Sequence, residues 1–562
     1  MNLKYRWAIL TMVLFLPALA FGQDDKELVP VTRTYAITNV TVMQAPGRKV
    51  EGATVVIKDG LITAVSKGAA IPSDAITIKG DSMYVYAGFI DGLTRAGVSK
   101  PKDENKDKIK DPGNPPNERA GINPQIDVRN FLNPADKALE DLRNLGFTVA
   151  HVVPHGNLLP GQAAIVLTSG DSPDKMVLES KSAMYSELTG APQMYPATIL
   201  GVMAKWRDLY RQASLAKSYA STYASNRVGL EHPVTDRTLE PFYPVIDQRM
   251  PVLFKAEKIN DVNRVLALKS DLGFSLMLAD VKESWPLVNK VKGSGAKVFL
   301  SLDLPEEVKK DDKKDKDKKA DAGAKTNAQL EKEALDKRRT DAIAAYVGQA
   351  AAFQKAGVPF GFSTMSVKSK DIPANLRRMI AAGLSEDAAL AALTTAPATL
   401  LGLSDRMGTV DNGKMANLVI TNKPYFNEKA KVVYVFVDGV MNKLEVKEVK
   451  KADGNSPMTQ IEGSWSSMTQ SPQGNTDGKW TFKKDGNNYS GMVSGGRLPA
   501  PVEMKDISLE GSNLSFNYTL SFGANVIKVE VEVTFDGDTF KGTSSVGSFG
   551  SFPTEGTRDP KN

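Results

Sequence analysis

The sequence predicts an α/β protein: a (β/α)8 barrel set into a split small β-sandwich, followed by a separate all-β domain. Three observations predict this. Between Gly88 and Leu401, short apolar runs alternate with stretches of helical spacing, the order a barrel of parallel strands requires. Strand-like text from Thr34 to Val65 returns at Met407 to Gly439, on the far side of that region. After a Gly/Ser/Pro linker around Gly454 to Pro457, the pattern changes to strands alone. The expected parts are 1–22 as a leader, 23–86 with 403–450 as the composite β-domain, 87–402 as the barrel, and 458–562 as the final domain. A chain of 562 residues has room for two or three domains, and a hydrophobic fraction of 41% supplies their cores.

The leader comes first. Lys4 and Arg6 precede the apolar run Trp7 to Phe21, and small residues lie just ahead of Gln23, the layout of a secretory signal peptide. Export is therefore expected, into the periplasm if the source is bacterial. The run is too short to favour a membrane span, so no stable insertion is expected after cleavage. No cysteine occurs, which removes disulfides, thiolate metal sites, a Cys nucleophile and lipoprotein anchoring. The net charge of +6 is small for this length, and basic residues are interleaved with acidic ones, so no nucleic-acid partner is expected. Neither a Gly-x-Ser-x-Gly elbow nor a Walker or Rossmann loop is present.

Within the composite domain, Tyr35 to Val42 and Ala53 to Ile57 read as strands, and Asp59-Gly60 marks a hairpin into Leu61 to Val65. Candidate barrel strands are Thr148 to Val153, Met250 to Phe254, Ser275 to Leu278, Lys297 to Leu302 and Val358 to Ser363. Candidate helices are Asn133 to Leu145, Ile199 to Ala224, Ile259 to Asp271 and Arg339 to Ala356. Ser385 reads as a helix N-cap. Gly156 to Gly170 reads as a strand and a turn. The loops Lys100 to Arg119 and Lys309 to Lys325 are charged; the second reads as a solvated insertion at the barrel mouth, or as a lid or partner-binding tail. In the last domain, Trp465 and Trp480 read as core, with sugar stacking as the other use.

Tyr84 to Lys100, YVYAGFIDGLTRAGVSK, carries the functional information. Its Gly88-Phe89-Ile90-Asp91 ends an apolar run, as in a buried strand that delivers a site at its C-terminal end. The stretch resembles the first barrel strand of the amidohydrolase superfamily, where a Phe-Ile-Asp run leads into His-x-His. Gly413 to Ile420 resembles the strand that closes the superfamily's composite domain, and Leu384 to Gly402 resembles its final helices. The likeness is to imidazolonepropionase-like exported members. It implies a zinc-dependent hydrolase of non-peptide C–N bonds, in cyclic amides or dipeptide-like substrates.

The residues at the matching positions depart from that pattern. Leu93 and Arg95 stand where the paired histidines would be, Lys255 where a histidine follows the fifth strand, and Met365 where the catalytic Asp would follow the eighth. No histidine lies in Leu276 to Glu283. Only His151, His155 and His232 exist in the chain, whereas such sites use about three or four histidines. No metal is therefore expected. Three readings stay open. The barrel is a pseudoenzyme scaffold in which Arg95 and Lys255 bind a small anionic ligand, or pair with Asp91, Asp280 or Glu257 in a structural ion network. It is a metal-independent hydrolase with His155 as acid-base group, His151 being core. Or the chain is an interaction protein that works through its C-terminal β-domain, on glycan or protein. Self-association, or pairing with an intact related amidohydrolase, is a further expectation of the resemblance.

Overall fold

The computed structural model describes residues 33–101, 109–307, 327–444 and 461–560, apart from 472–473, 487, 497, 499, 523–524 and 547–549. The expected leader, the Lys309 to Lys325 insertion, the Gly454 to Pro457 linker and part of Lys100 to Arg119 lie outside the described residues. The chain divides into two compact units, Met1–Glu445 and Val446–Asn562. No described helix is long and apolar enough to cross a membrane.

The first unit opens with β1 (Tyr35–Ala45), β2 (Arg48–Lys58), β3 (Leu61–Ser66), β4 (Ile76–Lys79) and β5 (Tyr84–Ala87). Asp59 and Gly60 both take positive φ, 50° and 81°, so the β2–β3 hairpin forms where the Asp-Gly pair places it. A sandwich of two sheets was expected here, but the strands join into one sheet. The eleven-residue β1 is long enough to pair along one edge with β4 at Tyr35–Thr38 and then with β5 at Thr41–Met43. The sheet is completed by strands from far downstream, β14 (Leu418–Thr421), β15 (Val432–Val437) and β16 (Val440–Lys443), with β14 antiparallel to β5. Ile37, Val55, Val85, Leu418 and Ile420 share its core.

Eight strands form a closed barrel: β6 (Phe89–Thr94), β7 (Phe147–Val152), β8 (Gly161–Leu167), β9 (Val177–Glu187), β10 (Val252–Lys255), β11 (Leu276–Val281), β12 (Lys297–Ser301) and β13 (Phe360–Ser363). It is not a strict (β/α)8 barrel, which corrects the expectation. β8 runs antiparallel to both neighbours, while the other adjacent pairs are parallel. The cause is loop length: a parallel return needs a crossover of about a dozen residues or more, and the link from Val152 to Gly161 is shorter. Helix ends also move. The first barrel helix starts at Lys137, because the Asp136 carboxylate accepts from the Ala138 N–H at 2.9 Å and caps it there. The expected Arg339 to Ala356 helix is two, Asn327–Val347 and Gln349–Lys355, divided at Gly348.

Alternation along the strands sorts side chains by face. Along β10, β11 and β12, Leu253, Met277, Ala279 and Phe299 belong to one cluster, while Val252, Phe254, Leu276, Leu278, Val298 and Leu300 belong to another that includes the surrounding helices; Ile90, Leu93 and Val149 join the first from the irregular β6–β7 pair. The Phe299 ring lies so close to two glycines that a Cβ at Gly92 would sit 1.9 Å from it, and one at Gly361 2.7 Å. Those glycines make room for an aromatic ring inside the barrel.

The second unit is an antiparallel sheet of β17 (Gly463–Ser471), β18 (Gly474–Asp485), β19 (Asn488–Ser494), β20 (Val502–Glu503), β21 (Lys505–Glu510), β22 (Asn513–Phe522), β23 (Asn525–Asp536), β24 (Thr539–Val546) and β25 (Gly550–Arg558). Its end strands β20 and β21 are one run interrupted at Met504. That run pairs with β19 through Val502 and with β22 through Lys505, so the sheet curls back on itself. Trp465 and Trp480 are buried against Phe535 and Phe540, with Trp480 stacked on Phe540 at 4.5 Å. Both tryptophans are core residues and present no face to a sugar.

Replacing Gly92 by Ala should lower the stability of the first unit by about 3 kcal/mol, because a stiff ring blocks the added methyl. Chemical denaturation followed through that unit's transition checks this. The Gly92→Ala/Phe299→Leu pair should recover part of the loss, and an unchanged midpoint in Gly92→Ala would contradict the close approach.

Candidate functional site: the barrel mouth

The C-terminal ends of the parallel strands converge on one mouth, where barrel enzymes place their chemistry. Arg95 follows β6, His155 follows β7, Glu187 ends β9 and Lys255 ends β10. Asp280 lies in β11 with Lys282 beyond it, Ser301 ends β12, and Ser363 ends β13 ahead of Thr364 and Ser366.

Arg95 is engaged. Its Nη2 lies 2.6 Å from Glu187 Oε1, and its guanidinium is 5.9 Å from the centre of the Tyr185 ring. The Tyr185 hydroxyl donates to the same Glu187 oxygen at 2.6 Å. Burial, and then the Glu187 charge, push the Tyr185 phenol well above its ordinary range, so it remains a donor. Arg95 Nε is buried without a hydrogen-bond partner among the described residues. For Arg95 the carboxylate comes from Glu187 and not from Asp91, Asp280 or Glu257, the partners expected from the sequence for Arg95 and Lys255; for Lys255 the expected Glu257 is the partner.

Lys255 has Glu187 as its Cα partner across the β9–β10 pairing, and its ammonium lies 3.3 Å from Glu257. Lys282 continues the network, 3.4 Å from Glu257 and 2.8 Å from Asp303. Burial would raise Glu257, but the charges of Lys255 and Lys282 outweigh it and hold the carboxylate below its usual range. Burial would lower Lys282, but the Asp303 hydrogen bond and neighbouring carboxylates keep its pKa above the ordinary value. Cations and acids thus alternate around this side of the mouth.

Two carboxylates lie behind these groups, with no exposure to solvent. Asp91 accepts the backbone N–H groups of Leu93 and Thr364, each at 3.1 Å, and the Thr364 hydroxyl. Burial nevertheless raises it to about 7, with the Asp280 charge adding to the rise. Asp280 accepts from Ser366 Oγ at 2.5 Å and Ser363 Oγ at 3.4 Å. Burial raises its pKa as well, against the pull of the Ser366 and Ser301 hydroxyls and of Lys282 and Lys255. Its φ of 55° is a left-handed conformation inside a strand, which neighbouring structure must hold in place.

The histidines do not converge. His155 is half-buried, with Nε2 3.0 Å from the Val98 carbonyl. Burial, and then the charges of Arg95 and Lys100, lower its pKa, so the ring is neutral at pH 7. His151 is fully buried, its Nε2 2.9 Å from Ser182 Oγ, and burial lowers it to about 4. His232 is exposed and contacts the Pro233 carbonyl. Leu93 is buried beside Phe299, and Met365 packs against that same cluster. Among the described residues, no three of His, Cys, Asp and Glu are grouped as a metal ion requires.

Sequence reasoning missed Glu187 and Lys282. The signal for Glu187 was an acidic residue closing the apolar run Ala183–Tyr185. It went unread because β9 was not among the candidate strands.

The amidohydrolase family profile matches residues 317–442, which include β13 and most of the closing strands β14–β16. No curated protein matches the chain. Among solved structures, an amidohydrolase from Thermotoga maritima MSB8 matches with 19% identity, 73% of this chain and 100% of its own covered, and a TM-score of 0.58. A prolidase complexed with N-methylphosphonate-L-proline has 14% identity, 73% and 99% coverage and a TM-score of 0.42. An adenosine deaminase from Xanthomonas campestris with bound zinc has 15% identity, 73% and 93% coverage and a TM-score of 0.38. The first of these likenesses establishes a shared fold.

The raised pKa of Asp91 has a stability consequence. Between its ordinary value of 3.8 and about 7, the folded chain holds a proton that the unfolded chain has lost. Stability is therefore fullest below the ordinary value, falls as pH rises across that window, and is level above it. Measured against Asp91→Asn, wild type should lose a few kcal/mol, on the order of 1.4 per pKa unit, between these limits. Thermal unfolding of both proteins across the range checks the slope; parallel curves would show that Asp91 does not titrate there.

Proposed function

We propose that this protein, a member of the amidohydrolase superfamily, uses its barrel mouth to bind a small molecule bearing an anionic group, without metal-dependent hydrolysis there. One observation carries the reading: Arg95 and Lys255 occupy strand ends where the resemblance places metal ligands, and both are held in ion pairs with carboxylates. A guanidinium keeps its proton under ordinary conditions, and a fixed positive charge opposes a dication. Leu93 and Met365 offer no donor suited to zinc. The residues present do not fit the superfamily's metal, and no step is assigned to one. Arg95, whose Nε lacks a partner among the described residues, is the group we assign to a ligand carboxylate. Lys255 supports it across the β9–β10 pairing.

A second reading keeps hydrolysis of non-peptide C–N bonds without a metal. It is favoured by His155, which burial keeps neutral and which feels the charges of Arg95 and Glu187. A neutral imidazole at the mouth has a lone pair for a water proton. In either reading, the leader signal at 1–22 supports action outside the cytoplasm, testable by fractionating cells that express the full chain.

Metal content separates the main reading from its alternatives. After incubation with zinc and manganese and desalting, the purified protein should retain less than about a tenth of an equivalent of metal per chain. Retention of about one equivalent, lost in His155→Ala, would overturn the proposal.

A further inference from the structure

The inverted strand β8 has a consequence outside the barrel. A parallel strand arrives with a crossover helix that covers the wall, and β8 arrives by a short loop without one. A cavity of about 350 Å³ opens where Gln162 of β8 and Lys181 of β9 meet Arg237 and Glu240. Gln125 completes its polar lining, and Pro241, Pro244 and Met250 its apolar side. The volume lies at the lower end of the small-molecule range.

The charged groups there have no close partner, although the Lys181 charge acts on Asp127 and helps to lower its pKa. Among the described residues, the side chains of Lys181, Arg237 and Glu240 make no ion pair or hydrogen bond. The nearby carboxylate of Asp127 is already taken by Arg129 at 2.6 Å. Gln162 is only 5% exposed; its Nε2 donates to the Pro124 carbonyl at 2.9 Å, and its Oε1 has no partner among the described residues. Lys181 is held at φ 53° inside an irregularity of the β8–β9 ladder, where Ala163 pairs with Ala183 but Ile165 pairs with Glu179. The extra residues of β9 bulge outward at Lys181, and bulges commonly re-aim a side chain.

We propose that this side cavity binds a small zwitterion of the α-amino acid class. Lys181 and Arg237 take its carboxylate, Glu240 and the Gln162 Oε1 take its ammonium, and Pro241, Pro244 and Met250 receive a short apolar side chain. Both signs of charge with an apolar wall favour this class over a simple anion, which Glu240 would repel. The site is separate from the mouth and does not depend on what binds there.

Calorimetric titration of the full chain with L-leucine tests the proposal. Saturable binding with a Kd of about 1 mM or tighter is expected. N-acetyl-L-leucine, L-leucinamide and inorganic phosphate should each bind at least about tenfold more weakly. Lys181→Gln with Arg237→Gln, both exposed side chains, should weaken L-leucine about tenfold without changing the melting temperature, and Arg95→Ala should leave it unchanged. Absence of saturation, equal binding of the acetylated, amidated or phosphate probes, or binding that survives the double variant would overturn it. Loss of binding in Arg95→Ala alone would move the ligand to the mouth and equally overturn the side site.

Discussion

The Asp91 carboxylate is the point on which the first unit closes. The ladder between β13 and β6 rests on the single pairing of Phe362 with Asp91. Beyond that pair, the seam is held by side chains: Asp91 accepts from the backbone N–H and hydroxyl of Thr364, and the Ser363 hydroxyl donates to the Leu93 carbonyl at 3.0 Å. A carboxylate with several donors replaces the ladder hydrogen bonds that two irregular strands do not make. The same run crosses between two sheets at Gly88, whose N–H donates to the Asn417 carbonyl at 2.7 Å while the Thr148 side chain fills the space a Cβ would need. β5 therefore belongs to the composite sheet and β6 to the barrel, with one glycine between them. A disturbance of the seam reaches both.

The interior of this barrel is filled by packed side chains, and ion pairs order its mouth. Phe299 occupies space vacated by Gly92 and Gly361, and Leu93 adds to the same cluster. Above them, Arg95 with Glu187, and Lys255 and Lys282 with Glu257 and Asp303, neutralise one another. Partly buried pairs of this kind contribute little net stability, since desolvation offsets most of the attraction. Their effect is positional: each fixes a charged group at the mouth, and removing one partner strands the other.

Much of this was legible in the sequence, and the exceptions share a cause. The Asp59-Gly60 turn, the strands from Phe147, Val252, Leu276, Lys297 and Phe360, and the returning strand at Leu418 follow from alternation and turn chemistry. β9 was missed because its first half is half-exposed and charged, Val177 to Lys181, and carries no clean period. The inversion of β8 was hidden because a buried strand reads the same in either direction; only the short loop before it told against a parallel return. At the mouth, the absence of family ligands and Glu257 as a partner for Lys255 were visible directly, whereas Glu187 as the partner of Arg95 needed the placement of β9.

Orientation is what a residue pattern leaves least determined, and in this chain one strand's orientation decides the surroundings of two sites. Turning β8 over brings Gly161 and Gln162, at its N-terminal end, beside Tyr185 and Met184 near the mouth end of β9. It also removes the helix that would cover the wall, so the segment carrying Arg237, Glu240 and Met250 lies beside the cavity where a crossover would pass. Inside the wall, Tyr185 and Glu187 of the neighbouring β9 hold Arg95. Outside it, Lys181 of the same strand meets Arg237 and Glu240. Alternation alone would place Lys181 on the face of Tyr185 and Glu187; the irregularity of the β8–β9 ladder at Lys181 breaks that order and separates the two chemistries.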